Sequence, residues 1–142
     1  MGVTFNTIEF EKNLELCKEK TRAAGKRGLM QNALDLEKEA KGTAPILEGT
    51  LIGDIVANPV ILDIGDGGME AQVHAGTGES RDYALRQHEE LKPAGTMTPG
   101  HRTSKRPPKP WGPAGGKYLE RPLKHKAVAY AQNIARHISG VK

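Results

Sequence analysis

Cysteine occurs once in 142 residues, at Cys17, so no disulfide can close within this chain. A reducing compartment is the expected site of folding, and Cys17 reads as a buried helix position. Aromatic residues make up 4% of the sequence, which implies a modest, mostly aliphatic core. No apolar run reaches the ~18 residues of a membrane span. The stretch MGVTFNTIEFEKNLELCKEK carries no apolar centre of a signal peptide, so no cleaved leader is expected. Gly2 is not read as a myristoylation site, because Asn6 stands where Ser or Thr is wanted. The length suits a single domain, 1–142, with one core.

Acidic residues are absent from one long stretch. Between Lys92 and Lys117 lie Lys92, Arg102, Lys105, Arg106, Lys109 and Lys117 and no Asp or Glu, a charge of +6 in a chain whose net charge is +4. The rest of the chain is therefore mildly acidic, and any attraction to anions belongs to this segment. Eleven of the 24 residues from Pro93 to Gly116 are Pro or Gly, which forbids regular structure over most of that length. The expectation is a flexible basic loop over 92–117.

Periodicity supplies the remaining elements. Phe10, Leu14, Cys17 and Thr21 recur at spacings of three and four, predicting a helix from Ile8 to about Ala24. Gly25 reads as a break. Leu29, Ala33, Leu36 and Ala40 predict a second helix from about Gly28 to Ala40, so that 8–41 is helical apart from the break. Thr43 to Gly49 reads as a loop and Leu51 to Val56 as an extended segment. Val60–Ile64 and Met69–Ala75 flank GDGG, and the second run alternates apolar and polar residues, so a β-hairpin is expected with Asp66–Gly67 in its turn. In Arg81–Leu91, Tyr83 and Leu85 alternate as in a strand, while Ala84, Leu85 and the charge pattern also permit a helix; the segment is read as a short strand, completing a sheet region over 50–91. Leu119, Leu123, Tyr130, Ile134 and Ile138, with Ala127 and Ala131 filling the face, predict a C-terminal helix over 118–139, with Pro122 near its first turn, where proline is tolerated. The fold class is α+β: N-terminal helices and a C-terminal helix packed on a small antiparallel sheet, with a long Pro/Gly-rich basic loop.

The chemical motifs that this sequence suggests fail on inspection. GPAGGKYLERPL, from Gly112 to Leu123, looks like a phosphate-binding loop. That loop requires G-x-x-x-x-G-K-[ST], yet its first glycine would fall on Trp111 and its hydroxyl on Tyr118. HEEL, at His88 to Leu91, starts as a zinc-protease motif, but Lys92 stands where the second histidine belongs. Asp63 to Gly68 has too few spaced oxygens for a calcium loop. Ser80, Asp82 and His88 make a triad on paper, without the strand–turn–helix elbow that presents a nucleophile. Glu89 and Glu90 adjoin and so do not converge on one atom. His74 sits on the polar face of a strand, and His88 reads as a structural or interface hydrogen-bonding residue. No catalytic residue, cofactor or metal is implied.

The basic loop is a genuine feature. Arg102, Lys105, Arg106 and Lys109 are candidates for contact with nucleic-acid phosphates or an acidic partner. Only Trp111 and Tyr118 are near enough to stack on bases, and no base-reading motif is present. Non-specific nucleic-acid binding is thus one reading. A solvated arm that orders against an acidic protein is another. A small hydrolase using His88 with Glu89 is a third.

The order of features carries a resemblance. Ala40, Pro45, Gly49, Leu51 and Ile55 form A-x-x-x-x-P-x-x-x-G-x-L-x-x-x-I. The hairpin follows, then YALRQHEE from Tyr83 to Glu90, then the Pro/Gly-rich stretch, then GGKYLERPL from Gly115 to Leu123. This series resembles small head–tail joining proteins of long-tailed double-stranded DNA phages, also called tail-completion, neck or minor capsid proteins. Segments of the form YA-x-x-x-H-E and G-x-K-Y-L-E-x-P-L recur in that family, and the likeness spans about residues 28 to 135. It implies a virion component at the junction of capsid portal and tail, made in the host bacterial cytoplasm. Such a protein works in a homo-oligomeric ring against portal-proximal connector and tail proteins. The basic loop would then project toward either the packaged DNA, in non-specific contact, or a neighbouring subunit; no membrane contact is expected. It also implies that Tyr83, His88, Glu89, Lys117, Tyr118, Leu119, Glu120 and Pro122 shape the fold or the subunit contacts.

Overall fold

The computed structural model describes residues 7–45, 50–57, 62–63, 65, 67–76, 81–89 and 107–141. The chain is a mixed α and β domain. The elements run α1 (Thr7–Thr43), α2 (Thr50–Gly53), β1 (Val56–Ala57), β2 (Leu62–Asp63), β3 (Met69–Glu70), β4 (Val73–His74), α3 (Arg81–Glu89) and α4 (Glu120–Ser139). The strands form two small antiparallel sheets. β2 pairs with β3, Asp63 opposite Met69, and β1 pairs with β4, Ala57 opposite Val73.

The expected hairpin is therefore present, with Gly65 and Gly67 both at positive φ and the Gly68 amide donating to the Gly65 carbonyl. Its second strand is divided. Met69–Glu70 stays with the hairpin, and Val73–His74 turns to β1 instead.

The two predicted N-terminal helices are one helix of 37 residues, about 55 Å long. Gly25 does not break it, although each interior glycine costs about 1 kcal/mol of helix propensity. Both glycines make room for neighbours. A Cβ on Gly28 would lie 3.2 Å from the Ile134 Cα, and one on Gly25 would lie 2.9 Å from the Met69 methyl. Close packing outweighs propensity here.

α4 runs antiparallel to α1, and the two helices form the main packing contact. The apolar cluster sits at the C-terminal end of α1: Ala40, Ala44, Leu51, Ile55, Ala84 and Tyr118, flanked by Ile52, Val73, Ala75 and Leu119. Small residues dominate it, which allows α1, β1, α3 and the segment before α4 to approach closely with few aromatics.

Several expectations are corrected. Residues 81–89 form a helix, not a strand, because the amphipathic set Ala84 and His88, four apart, faces Tyr118. Leu51 lies in the short helix Thr50–Gly53 rather than in an extended segment, and of the predicted Leu51–Val56 stretch only Val56 is in a strand, β1 (Val56–Ala57). Phe10, Leu14 and Cys17 are exposed, since among the described residues no element covers the first half of α1. Ala127 and Ala131 are exposed too: the inner face of α4 is Lys126, Tyr130, Asn133 and Ile134. α4 begins at Glu120, two residues later than expected, with Pro122 buried in its first turn. The 107–117 part of the basic loop is not a solvated arm, as Ala114, Gly115 and Gly116 are buried. Lys92, Arg102, Lys105 and Arg106 lie outside the described residues.

Candidate functional site

The YA-x-x-x-H-E segment lies on α3, and the G-x-K-Y-L-E segment leads into α4. They pack on each other. The backbone amide of Lys117 donates to the His88 carbonyl at 2.6 Å. This hydrogen bond continues past the C-terminal end of α3, where carbonyls lack intrahelical partners. Lys117 Nζ reaches Glu89 at 2.6 Å and Glu120 at 3.4 Å. The Tyr118 hydroxyl donates to the Ala84 carbonyl at 3.2 Å. His88 meets the Tyr118 ring edge-on, with centroids 5.1 Å apart, and its Nδ1 lies 3.0 Å from Glu89.

The backbone is bent to make this contact. Lys117 has φ +55, a left-handed conformation unusual outside glycine. It follows Gly115 and Gly116, and the turn swings Tyr118 into the core while aiming Lys117 at α3. Hydrogen bonds from Lys117, then His88, hold the Glu89 carboxyl below its ordinary range. The bond to Glu89 correspondingly raises Lys117. Lys124, then Lys117, lower Glu120. Ala75, Gly76, Ala84, Leu85, His88 and Tyr118 line an open cleft of about 340 Å³ beside this contact.

A second polar cluster joins the 107–117 segment to both long helices. Lys109 reaches Glu39 at 2.9 Å, and Lys126 reaches Asp35 at 2.7 Å and Glu39 at 3.0 Å. The Tyr130 hydroxyl donates to Asp35 at 2.8 Å. Trp111 donates from Nε1 to Thr43 Oγ1 at 2.9 Å, and both Lys109 and Lys126 lie within 6 Å of its ring, at 5.6 Å and 5.8 Å. The Gly115 amide donates to the Thr43 carbonyl. Burial alone would raise Asp35 and Glu39, but hydrogen bonds from Lys126 with Tyr130 and from Lys109 with Lys126 outweigh it, so both carboxyls sit below their ordinary range. Burial, and then the Asp35 carboxylate, push the Tyr130 hydroxyl upward.

Of the residues singled out in the sequence, Ala84, His88, Glu89, Lys117, Tyr118 and Glu120 thus converge. Leu119 packs against the apolar cluster, and Pro122 is buried. The side chain of Tyr83 lies outside the described residues, as do Ser80, Glu90 and the side chain of Asp82. Lys109, a candidate for DNA contact, is committed to Glu39. The 109–111–126–130 cluster was not anticipated. Its hydrogen-bonded partners stand 68 to 95 residues apart, so no local spacing announces them; the only hint was a basic segment in an otherwise acidic chain.

Among the described residues no three His, Cys, Asp or Glu side chains gather as a metal site requires. No helix among them is long and apolar enough to cross a membrane. Comparison with protein-family models, with curated proteins and with solved structures returned no match.

Proposed function

We propose that this chain is a structural protein of the head–tail junction of a long-tailed phage, acting through protein–protein contacts within an assembled ring rather than through catalysis. One observation carries the reading. The two segments on which the resemblance rests are separated by 28 residues between Glu89 and Lys117, yet they pack as one unit with paired charges, a shared buried tyrosine and a left-handed turn. Recurring segments that meet in this way specify a common tertiary contact, which supports kinship beyond composition. His88 and Glu89 serve that contact, with the His88 carbonyl and ring both turned to the 117–118 turn, which supports a positioning role over a hydrolytic one.

The nucleic-acid reading is weakened by the position of Lys109, whose ammonium is already neutralised by Glu39. What remains of it rests on Arg102, Lys105 and Arg106. The head–tail proposal predicts that deleting this gene from its phage leaves DNA-filled heads beside separate full-length tails in electron micrographs of the lysate. Joined virions in normal number would overturn it.

A further inference from the structure

α1 is covered along only part of its length. From Ala24 onward its inner face is packed: Ala24, Gly25, Gly28, Asn32 and Ala33 are buried. α4 lies along Gly28, Asn32, Asp35 and Glu39, and its end and tail, from His137 to Val141, reach Arg27, Ala23 and Lys20. Every residue from Thr7 to Ala23 is exposed, an arm of about 25 Å.

The face that α4 covers continues along this arm. Counting back from Gly28 by four and three gives Ala24, Thr21, Cys17, Leu14 and Phe10, the a and d positions of a heptad pattern. Phe10 is 63% exposed and Leu14 47%. Where α4 is present this seam is small and polar; beyond it the seam passes through Thr21 and Cys17 to the large apolar Leu14 and Phe10. Ile8 and Leu16 lie off the seam.

We infer that this arm pairs, antiparallel, with the same arm of a second copy of the chain. The inference deepens the assembly reading, on which it rests for its place in the virion, by naming an isologous contact that joins two copies and is distinct from the repeating contact that closes a ring. Charge identifies the occupant and its direction. Glu11 and Lys18 flank the seam on one side, Asn13 and Lys20 on the other. In an antiparallel pair like flanks meet, so Glu11 faces Lys18 of the second copy, twice over by symmetry, and Lys20 faces Asn13. In a parallel pair unlike flanks meet, and Lys18 would face Asn13 with no anion gained. Setting Leu14 level with Cys17 of the second copy sets Thr7 level with Ala24, so the overlap runs the length of the arm and its ends adjoin the tail of α4 at Lys20 and Ala23. Lys18 now reaches Glu15 at 3.3 Å on the surface, and an exposed pair of that kind yields easily.

The test is sedimentation of the full chain up to about 200 µM, since so short a seam implies a dissociation constant of roughly 1–100 µM. The expected mass rises with concentration from 15.4 kDa toward twice that value. Leu14→Glu should weaken association more than about tenfold while leaving helix content and melting unchanged, because Leu14 faces solvent in the single chain. Glu11→Lys and Lys18→Glu should each weaken it, and the double variant should restore it. A chain that stays single at all concentrations, association indifferent to Leu14→Glu, or a double variant no better than the single ones would overturn the seam. Micrographs of the gene deletion separate the two proposals: a chain that joins heads to tails yet never pairs in solution defeats the seam alone, and one that pairs but joins nothing defeats the head–tail reading alone.

Discussion

Tyr118 donates its hydroxyl to the Ala84 carbonyl at 3.2 Å while keeping 1% of its surface exposed. This hydrogen bond fastens α3 to the turn before α4 and passes through the centre of the apolar cluster. Tyr118→Phe should preserve the packing and lose about 0.5–1.5 kcal/mol. Tyr118→Ala should lose about 3–5 kcal/mol through the cavity it leaves. Urea unfolding at constant m-value measures both, and equal losses would show that the hydroxyl, not the ring, carries the contact.

Lys117 combines a left-handed backbone with charge pairing. Lys117→Gly and Lys117→Ala both remove the ammonium, but only glycine relaxes at φ +55. The glycine variant should therefore unfold at higher denaturant than the alanine variant, the reverse of their usual order in a helix. An alanine variant equal to or above the glycine variant would mean that the turn is not strained.

The same comparison applies to α1. Gly25→Ala meets only the flexible end of Met69, so it should gain up to about 1 kcal/mol of helix propensity. Gly28→Ala meets the α4 backbone at Ile134 and should gain less or lose stability. Thermal melts of the two variants decide it.

These glycines also show what was hidden in the sequence. A glycine reads locally as punctuation, and only the presence of Ile134 and Met69 turns it into a packing site. The C-terminal helix and the β2–β3 hairpin were legible because their periodicity and turn residues are local. α3 was not, since nine residues with two or three apolar positions fit a strand as well as a helix. Within the candidate site, the resemblance marked His88, Glu89, Lys117 and Tyr118, and the structure supplies the contact between them. The Asp35–Lys126–Tyr130 cluster was illegible because Tyr130 reads as one more apolar position on a stripe. Cys17 was misplaced because its stripe is apolar, while among the described residues nothing packs against that part of α1.

Asp35 and Glu39 sit below their ordinary pKa values, so the stability that they contribute is present above about pH 4–4.5 and is lost as pH falls through their lowered folded values. Lys126 and Tyr130 are shifted upward, so their contribution is present below their ordinary alkaline range and is lost as pH rises through the folded values. Stability should thus be flat near neutrality and fall at both ends. Asp35→Asn with Glu39→Gln should flatten the acid limb, measured by denaturant midpoints from pH 3 to 7. An unchanged acid limb would place the acid-sensitive groups elsewhere.

The most direct test of the head–tail role adds the purified protein to an extract of cells infected with the gene-deleted phage, which holds filled heads and finished tails. Plaque titre should rise in proportion to the protein added, and joined particles should appear in micrographs of the same mixture. A titre that stays at background while heads and tails are both intact and competent would contradict the account.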